Sequence, residues 1–233
     1  MTQKHATLTP SEARACYDRF GKKQDAQGFY EDPALDDLIA HAGFQDSRRI
    51  FEFGCGTGRF AARLLAGNLP SSASYLGCDI SPVMIGLAAH CLAAYPGRAN
   101  VVQSDGAVRF PLHDHSVDRV IASYVLDLLS EEDIREVFTE AHRVLVPGGK
   151  LCLVSLTRGV TLLSRVVSSL WMAVFRMRAS AVGGCRPVRL DGYVDNDRWQ
   201  LGHRRVVTPF GVPSEVLVLI ARSAPDRAGE PAA

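Results

Sequence analysis

Long apolar runs are missing from this chain. No stretch of about 18 uncharged apolar residues occurs, so no membrane-spanning helix is expected. The opening residues MTQKHATLTPSEARA carry no apolar run behind their first charges and are not read as a secretory signal. A cytoplasmic location is expected. Paired cysteines are also missing. The six cysteines (Cys16, Cys55, Cys78, Cys91, Cys152, Cys185) include no CxxC and read as small buried apolar side chains, and no metal site is expected. Charge of one sign is scarce overall, with 26 basic against 25 acidic residues for a net of +1, which does not suggest a nucleic-acid binder or an acidic tail. Locally the balance differs. Between Arg158 and Arg205 there is no Lys and no Glu, while nine Arg and three Asp give +6, which leaves about −5 for the rest.

What is present is an alternation of short apolar runs and helical patterns. Strands are expected at Arg48 to Gly54, Ser74 to Ile80, Asn100 to Asp105, Val117 to Leu126 and Lys150 to Leu156. Helices fall between them at residues 59–67, from Ser81 and Pro82 to about Ala94, and at 131–145. Such spacing predicts right-handed βαβ units, hence an α/β fold with a parallel sheet covered by helices on both faces. WQLGHRRVVTPFG and SEVLVLIAR read as a closing hairpin. The first 15 residues and those from Ser223 onward are expected to be poorly ordered.

The chemistry gathers at strand ends. FEFGCGTGRF places Gly54, Gly56 and Gly58 where the first strand turns into a helix. Glycine lets the backbone turn sharply and approach a ligand, and the helix start offers unpaired N–H groups. The G-x-G-x-G spacing is not the G-x-G-x-x-G of a dinucleotide site, and a P-loop's Lys-Ser/Thr is missing. The second strand ends at Asp79, placed to accept from ribose hydroxyls. The third ends at Asp105 and Gly106, with a carboxylate placed to accept from an adenine amino group. Each acid alone could be a solvated strand end, but three features on one sheet edge point to one ligand.

FEFGCGTGRF, YLGCDISPVMI, VVQSDG, VDRVIASYVLDLL and RVLVPGGKLCLVSL resemble the successive motifs of class I S-adenosylmethionine-dependent methyltransferases. The nearest likeness is to the type 11 branch that includes ubiquinone and menaquinone biosynthesis methyltransferases, and it covers roughly residues 45–157. The resemblance implies a Rossmann-like, seven-stranded, mostly parallel sheet with an antiparallel C-terminal hairpin. It implies S-adenosyl-L-methionine as cofactor and S-adenosyl-L-homocysteine as product. It sets Glu52, Gly54, Cys55 and Gly56 beside the methionine portion, Asp79 at the ribose, Ile80 and Met84 against the adenine, and Asp105 with Gly106 at the adenine edge. Tyr124 falls in the methyl-transfer region.

Residues 1–44 resemble the helical lid of this family, with Tyr17, Phe20, Lys23, Gln24 and Tyr30 as candidates for closing over cofactor or substrate. Tyr17 and Lys23 are assigned to the cofactor, and Phe20 and Tyr30 to the substrate. An ordinary amphipathic helix packed on the sheet is the competing reading. The methyltransferase domain is placed at 45–222, with an inserted amphipathic helix at 157–180 and a disordered tail at 223–233. On the insert, Leu162, Leu163, Val166, Val167, Leu170, Trp171, Val174 and Phe175 form a wide apolar stripe flanked by arginines. Trp171 and Arg186 are substrate candidates, and the segment is a candidate for peripheral membrane contact. Tyr124 and Asp127 are the catalytic candidates, ahead of His113, His115 and His142. The expected function is in-line methyl transfer to a small lipophilic or aromatic acceptor, with no nucleic-acid partner. The alternatives are a methyltransferase acting on protein or nucleic acid, and a non-catalytic binder of the cofactor.

Overall fold

A computed structural model describes residues 7–223, with Ser180 and Ala181 described by backbone alone. Seven strands form one sheet: β1 (Arg49–Phe53), β2 (Ser74–Asp79), β3 (Ala99–Gln103), β4 (Val117–Ser123), β5 (Leu145–Leu156), β6 (Trp199–Val207) and β7 (Ser214–Ala221). Their spatial order is β3-β2-β1-β4-β5-β7-β6. The first five strands run parallel to their neighbours, and β7 is antiparallel to both β5 and β6. The expected fold class holds.

Side chains alternate between the two faces with the period of a strand. Phe51, Leu151, Leu153, Leu217 and Leu219 enter one core with Ile134 and Phe138 of helix α5 (Glu131–Val144). Ile50, Cys152, Val154, Val216 and Val218 enter the other. There they meet Leu38 of α2 (Gly28–Ala42) and Leu64 of α3 (Arg59–Gly67). Helix α4 (Pro82–Cys91) starts on its predicted cap, where the Ser81 hydroxyl accepts from Met84 N at 3.1 Å.

Two N-terminal helices precede the sheet, the first packed against α4 and α2 against the face of β5 and β7. Helix α1 (Pro10–Phe20) begins inside the segment expected to be poorly ordered. Thr9 and Glu12 close a capping box around Pro10, a reciprocal start signal that fixes a helix this short. Residues 1–6 and 224–233 lie outside the described residues, and with them six of the first 15 residues and all but Ser223 of the C-terminal segment expected to be poorly ordered. The N-terminal segment is tied down at three points. Ser81 Oγ donates to Asp18 at 2.6 Å, Thr57 Oγ1 to Asp25 at 2.6 Å, and Arg59 to Asp32 at 2.6 Å.

The inserted helix α6 spans Leu162–Met177. Its apolar stripe faces outward: Leu162, Leu163, Val166 and Leu170 are exposed, and only Ser164, Ser168 and Phe175 are buried. Among the described residues, no helix is long and apolar enough to cross a membrane.

Candidate functional site

The β1–α3 turn is built on three left-handed glycines, Gly54, Gly56 and Gly58, at φ 76°, 53° and 76°. Gly54 is the constrained one. A Cβ there would lie 2.7 Å from Val125 Cγ2, on the strand-end segment after β4. The turn therefore needs glycine both for its conformation and for its contact with β4. Gly54 N and Cys55 N both donate to Cys78 O at 2.9 Å, which fixes the loop against β2.

Asp79 ends β2, and backbone donors orient its carboxylate. Gly56 N donates to Oδ2 at 3.0 Å and Ser81 N to Oδ1 at 2.9 Å. Burial pushes its pKa up, against the pull of those N–H groups. Glu52, in the middle of the pocket floor, is wholly buried. It accepts from Tyr75 Oη at 2.6 Å and from Ser123 Oγ at 3.2 Å, and desolvation raises its pKa to about 7.

These groups line a cavity of about 210 Å³ between the carboxyl edge and the N-terminal segment. Glu52, Gly54, Cys55 and Gly56 form one stretch of its wall, and Asp79, Ile80, Met84 and Gly106 another. Pro10, Tyr17 and Gln24 cover it from the side of that segment. The cavity fits a nucleoside joined to an amino acid. Gln24 Oε1 is buried without a hydrogen-bond partner on this wall, a free acceptor suited to an ammonium group. Asp79 offers remaining lone pairs to a diol, and Ile80 and Met84 offer an apolar surface.

The other sequence-derived candidates fall in different places. Asp105 is exposed and accepts from Ala107 N at 2.9 Å, while its neighbours Ser104 and Gly106 line the cavity. Lys23 is exposed and off the wall. Phe20 packs on Tyr17, and Tyr30 packs edge-on against Tyr124, both behind the wall. Trp171 Nε1 donates to Cys185 O at 2.9 Å, and Arg186 Nη2 to Leu129 O at 2.6 Å, so both hold the insert in place. Tyr124 lines the cavity at φ 52°, a strained conformation that ends β4, and its hydroxyl donates to Ser214 Oγ at 2.9 Å. Asp127 lies just behind the wall, fully buried. His113, His115 and His142 lie away from the cavity, and His142 contacts Trp199 and Arg222 O.

The sequence reading missed Glu31, Thr57 and Arg59, all cavity-lining. Glu31 sits among four acids in YEDPALDD. Nothing in the sequence marks it from Asp32; burial does.

Asp37, His41 and His203 bring three metal-binding atoms within 4.8 Å of one another, at a distance from this cavity. The two imidazoles are stacked at 3.6 Å and 3°, which sets their in-plane lone pairs in separate planes. Asp37 already takes His203 Nε2 at 2.7 Å and Arg205 at 3.0 Å. The group ties α2 to β6.

The family model described as a methyltransferase domain matches residues 50–149, which carry the glycine turn, Asp79 and the β4 end. These residues therefore carry a methyltransferase domain. It is 31% identical over 114 residues to the tRNA N(3)-cytidine methyltransferase METTL2 of Danio rerio, covering 48% of this chain and 32% of that protein. The chain spans between a third and a half of the length of the first curated relatives it matches. An O-methyltransferase family protein from Burkholderia thailandensis shares the fold, with TM-score 0.71, 16% identity and coverage of 96% of this chain and 66% of that one. A chain of the complex between the Haloferax volcanii Trm112 methyltransferase activator and a methyltransferase does so at TM-score 0.65 and 13% identity, covering 91% and 98%. These relatives correct the expected partners. Proteins named for tRNA cytidine overturn a set restricted to small molecules and excluding nucleic acid. The total of +1 conceals the +6 stretch from Arg158 to Arg205.

Proposed function

We propose that this chain is an S-adenosylmethionine-dependent methyltransferase whose acceptor is a base in an RNA chain. The observation that carries the donor half is Asp79. Its carboxylate is locked by Gly56 N and Ser81 N on a cavity whose wall also holds the unpartnered Gln24 Oε1. Groups suited to a ribose and to an ammonium thus line one space. The acceptor half is supported by the likeness to tRNA cytidine methyltransferases and by exposed arginines. Arg158, Arg165, Arg176 and Arg178 are exposed and pair with no carboxylate among the described residues, so they are available to phosphates.

The bound cofactor supplies a methyl group already activated as a sulfonium. The protein's work is to hold, align and exclude water. Asp79, Ile80 and Met84 would hold the nucleoside, and Glu52, Gly54 and Gln24 the amino-acid end. Tyr124 and the lid would shape the space in front of the methyl group, where alignment supplies about 7–11 kcal/mol in favourable cases. The test is transfer of labelled methyl from S-adenosylmethionine to total RNA, to protein and to small-molecule extract in parallel. Label in the RNA fraction, digested to a methylated nucleoside, is the expected result. Label confined to another fraction overturns the acceptor.

A further inference from the structure

Behind the methyl-acceptor side of the cavity lies a polar cluster that cofactor binding does not use. Asp127 sits in a short 3₁₀ turn, Leu126–Leu128, directly after strained Tyr124. It is completely buried, and neither carboxylate oxygen meets a hydrogen-bond partner among the described residues. An ionised carboxylate in such a place is costly, so it calls for a compensating role. In front of it, on the cavity wall, is Glu31 of α2, 8% exposed. Glu31 gives Oε2 to Arg59 at 3.3 Å, while its other oxygen makes no hydrogen bond among the described residues. Arg59 is drawn instead to Asp32, at 2.6 Å, which leaves Glu31 weakly paired.

We propose that Glu31 takes the proton released by the methyl acceptor, with the buried carboxyl of Asp127 as its positioning residue. This rests on the methyltransferase reading above and narrows its acceptor to a base whose methylated, cationic form carries an acidic N–H. The acceptor nitrogen's lone pair forms the N–C bond as the methyl group's S–C bond breaks and leaves a neutral thioether. The base, now cationic, passes a proton from its N–H to the free oxygen of Glu31. Atoms and charge balance with no further reactant.

The electrostatics fit that role. Burial lifts Glu31 to about 7, opposed by Arg59 and reinforced by Asp127 and Asp32. Burial lifts Asp127 to about 7 as well, opposed by its own backbone N–H, by the Cys185 thiol and by Arg186. Tyr17, Tyr30, Tyr124 and Cys185 also face this pair, and their own acidities are suppressed by burial and by these carboxyls, so none of them competes as a base near neutrality. A base that titrates near the working pH is the efficient one.

Two measurements test it. In the unliganded protein, infrared titration of the protonated-carboxyl band should show groups with midpoints at about 7. Glu31→Gln should remove part of that signal and Asp127→Asn another part. On whichever acceptor the wild type methylates, Glu31→Gln should lower kcat/KM about 10²–10⁴-fold and abolish the acidic limb of its pH profile. Asp127→Asn should move that limb to lower pH, and both variants should bind S-adenosylmethionine within about threefold of wild type (a 0.7 kcal/mol window). A limb retained in Glu31→Gln, no loss of band, or a loss of cofactor affinity that accounts for the whole defect overturns the proposal. Methylation of a non-RNA acceptor that still shows the Glu31 dependence overturns only the RNA reading.

Discussion

Asp127→Asn should make the protein more stable and do so only where the wild-type carboxyl is ionised. The buried carboxyl keeps its proton up to about 7, against 3.8 for the free side chain. Between those values the folded state binds more protons than the unfolded state, so wild-type stability falls as pH rises through that window. A shift of about three units corresponds to about 4 kcal/mol at high pH. Asparagine preserves the shape and removes the charge, but an amide without partners retains a cost of about 1–3 kcal/mol. The variant should therefore gain about 1–3 kcal/mol at about pH 8, or about 2–4 °C of Tm per kcal/mol in a chain of this length. At about pH 5 the wild type has lost only about 1–2 kcal/mol to this group, so the advantage should shrink by about 2–3 kcal/mol. Urea unfolding of both proteins at the two pH values gives the comparison. A difference between them that does not change with pH would refute the idea that Asp127 is a desolvated, unpaired acid.

Asp79→Ala should weaken S-adenosylmethionine binding about 10–150-fold in calorimetry, the loss of about 1.5–3 kcal/mol in hydrogen bonds to a charged group. Gly54→Ala combines a positive φ with a Cβ 2.7 Å from Val125 Cγ2, and should lower both thermal stability and cofactor affinity. Ser130→Ala removes the acceptor for Asp133 N at the start of α5 and should cost about 1 kcal/mol in thermal unfolding.

The central strands were legible because β1, β4 and β5 are largely apolar and buried, and because β1 runs into Gly54 and β2 ends at Asp79. The boundaries were less so. β4 stops at Ser123 because Tyr124 adopts φ 52°, a tertiary constraint with no local signal. β5 begins at Leu145, through Pro147, Gly148 and Gly149, because Leu145 pairs with Val117. The donor side of the site could be read because the glycine turn and Asp79 are local in sequence. Tyr124 and Asp127 could be read from the end of β4, but Glu31 could not, since it joins them only across the folded chain. The stripe on α6 was visible as a pattern, but periodicity does not say whether an apolar face is covered, and here Leu162 and Leu170 are open to solvent.

The central claim is that the cavity under Gly54 and Asp79 holds S-adenosylmethionine. Isothermal titration of the purified chain with S-adenosylmethionine and S-adenosylhomocysteine measures this directly. One-to-one binding of both, weakened by Asp79→Ala, is the predicted result. Absence of heat and of thermal stabilisation with either ligand would contradict it.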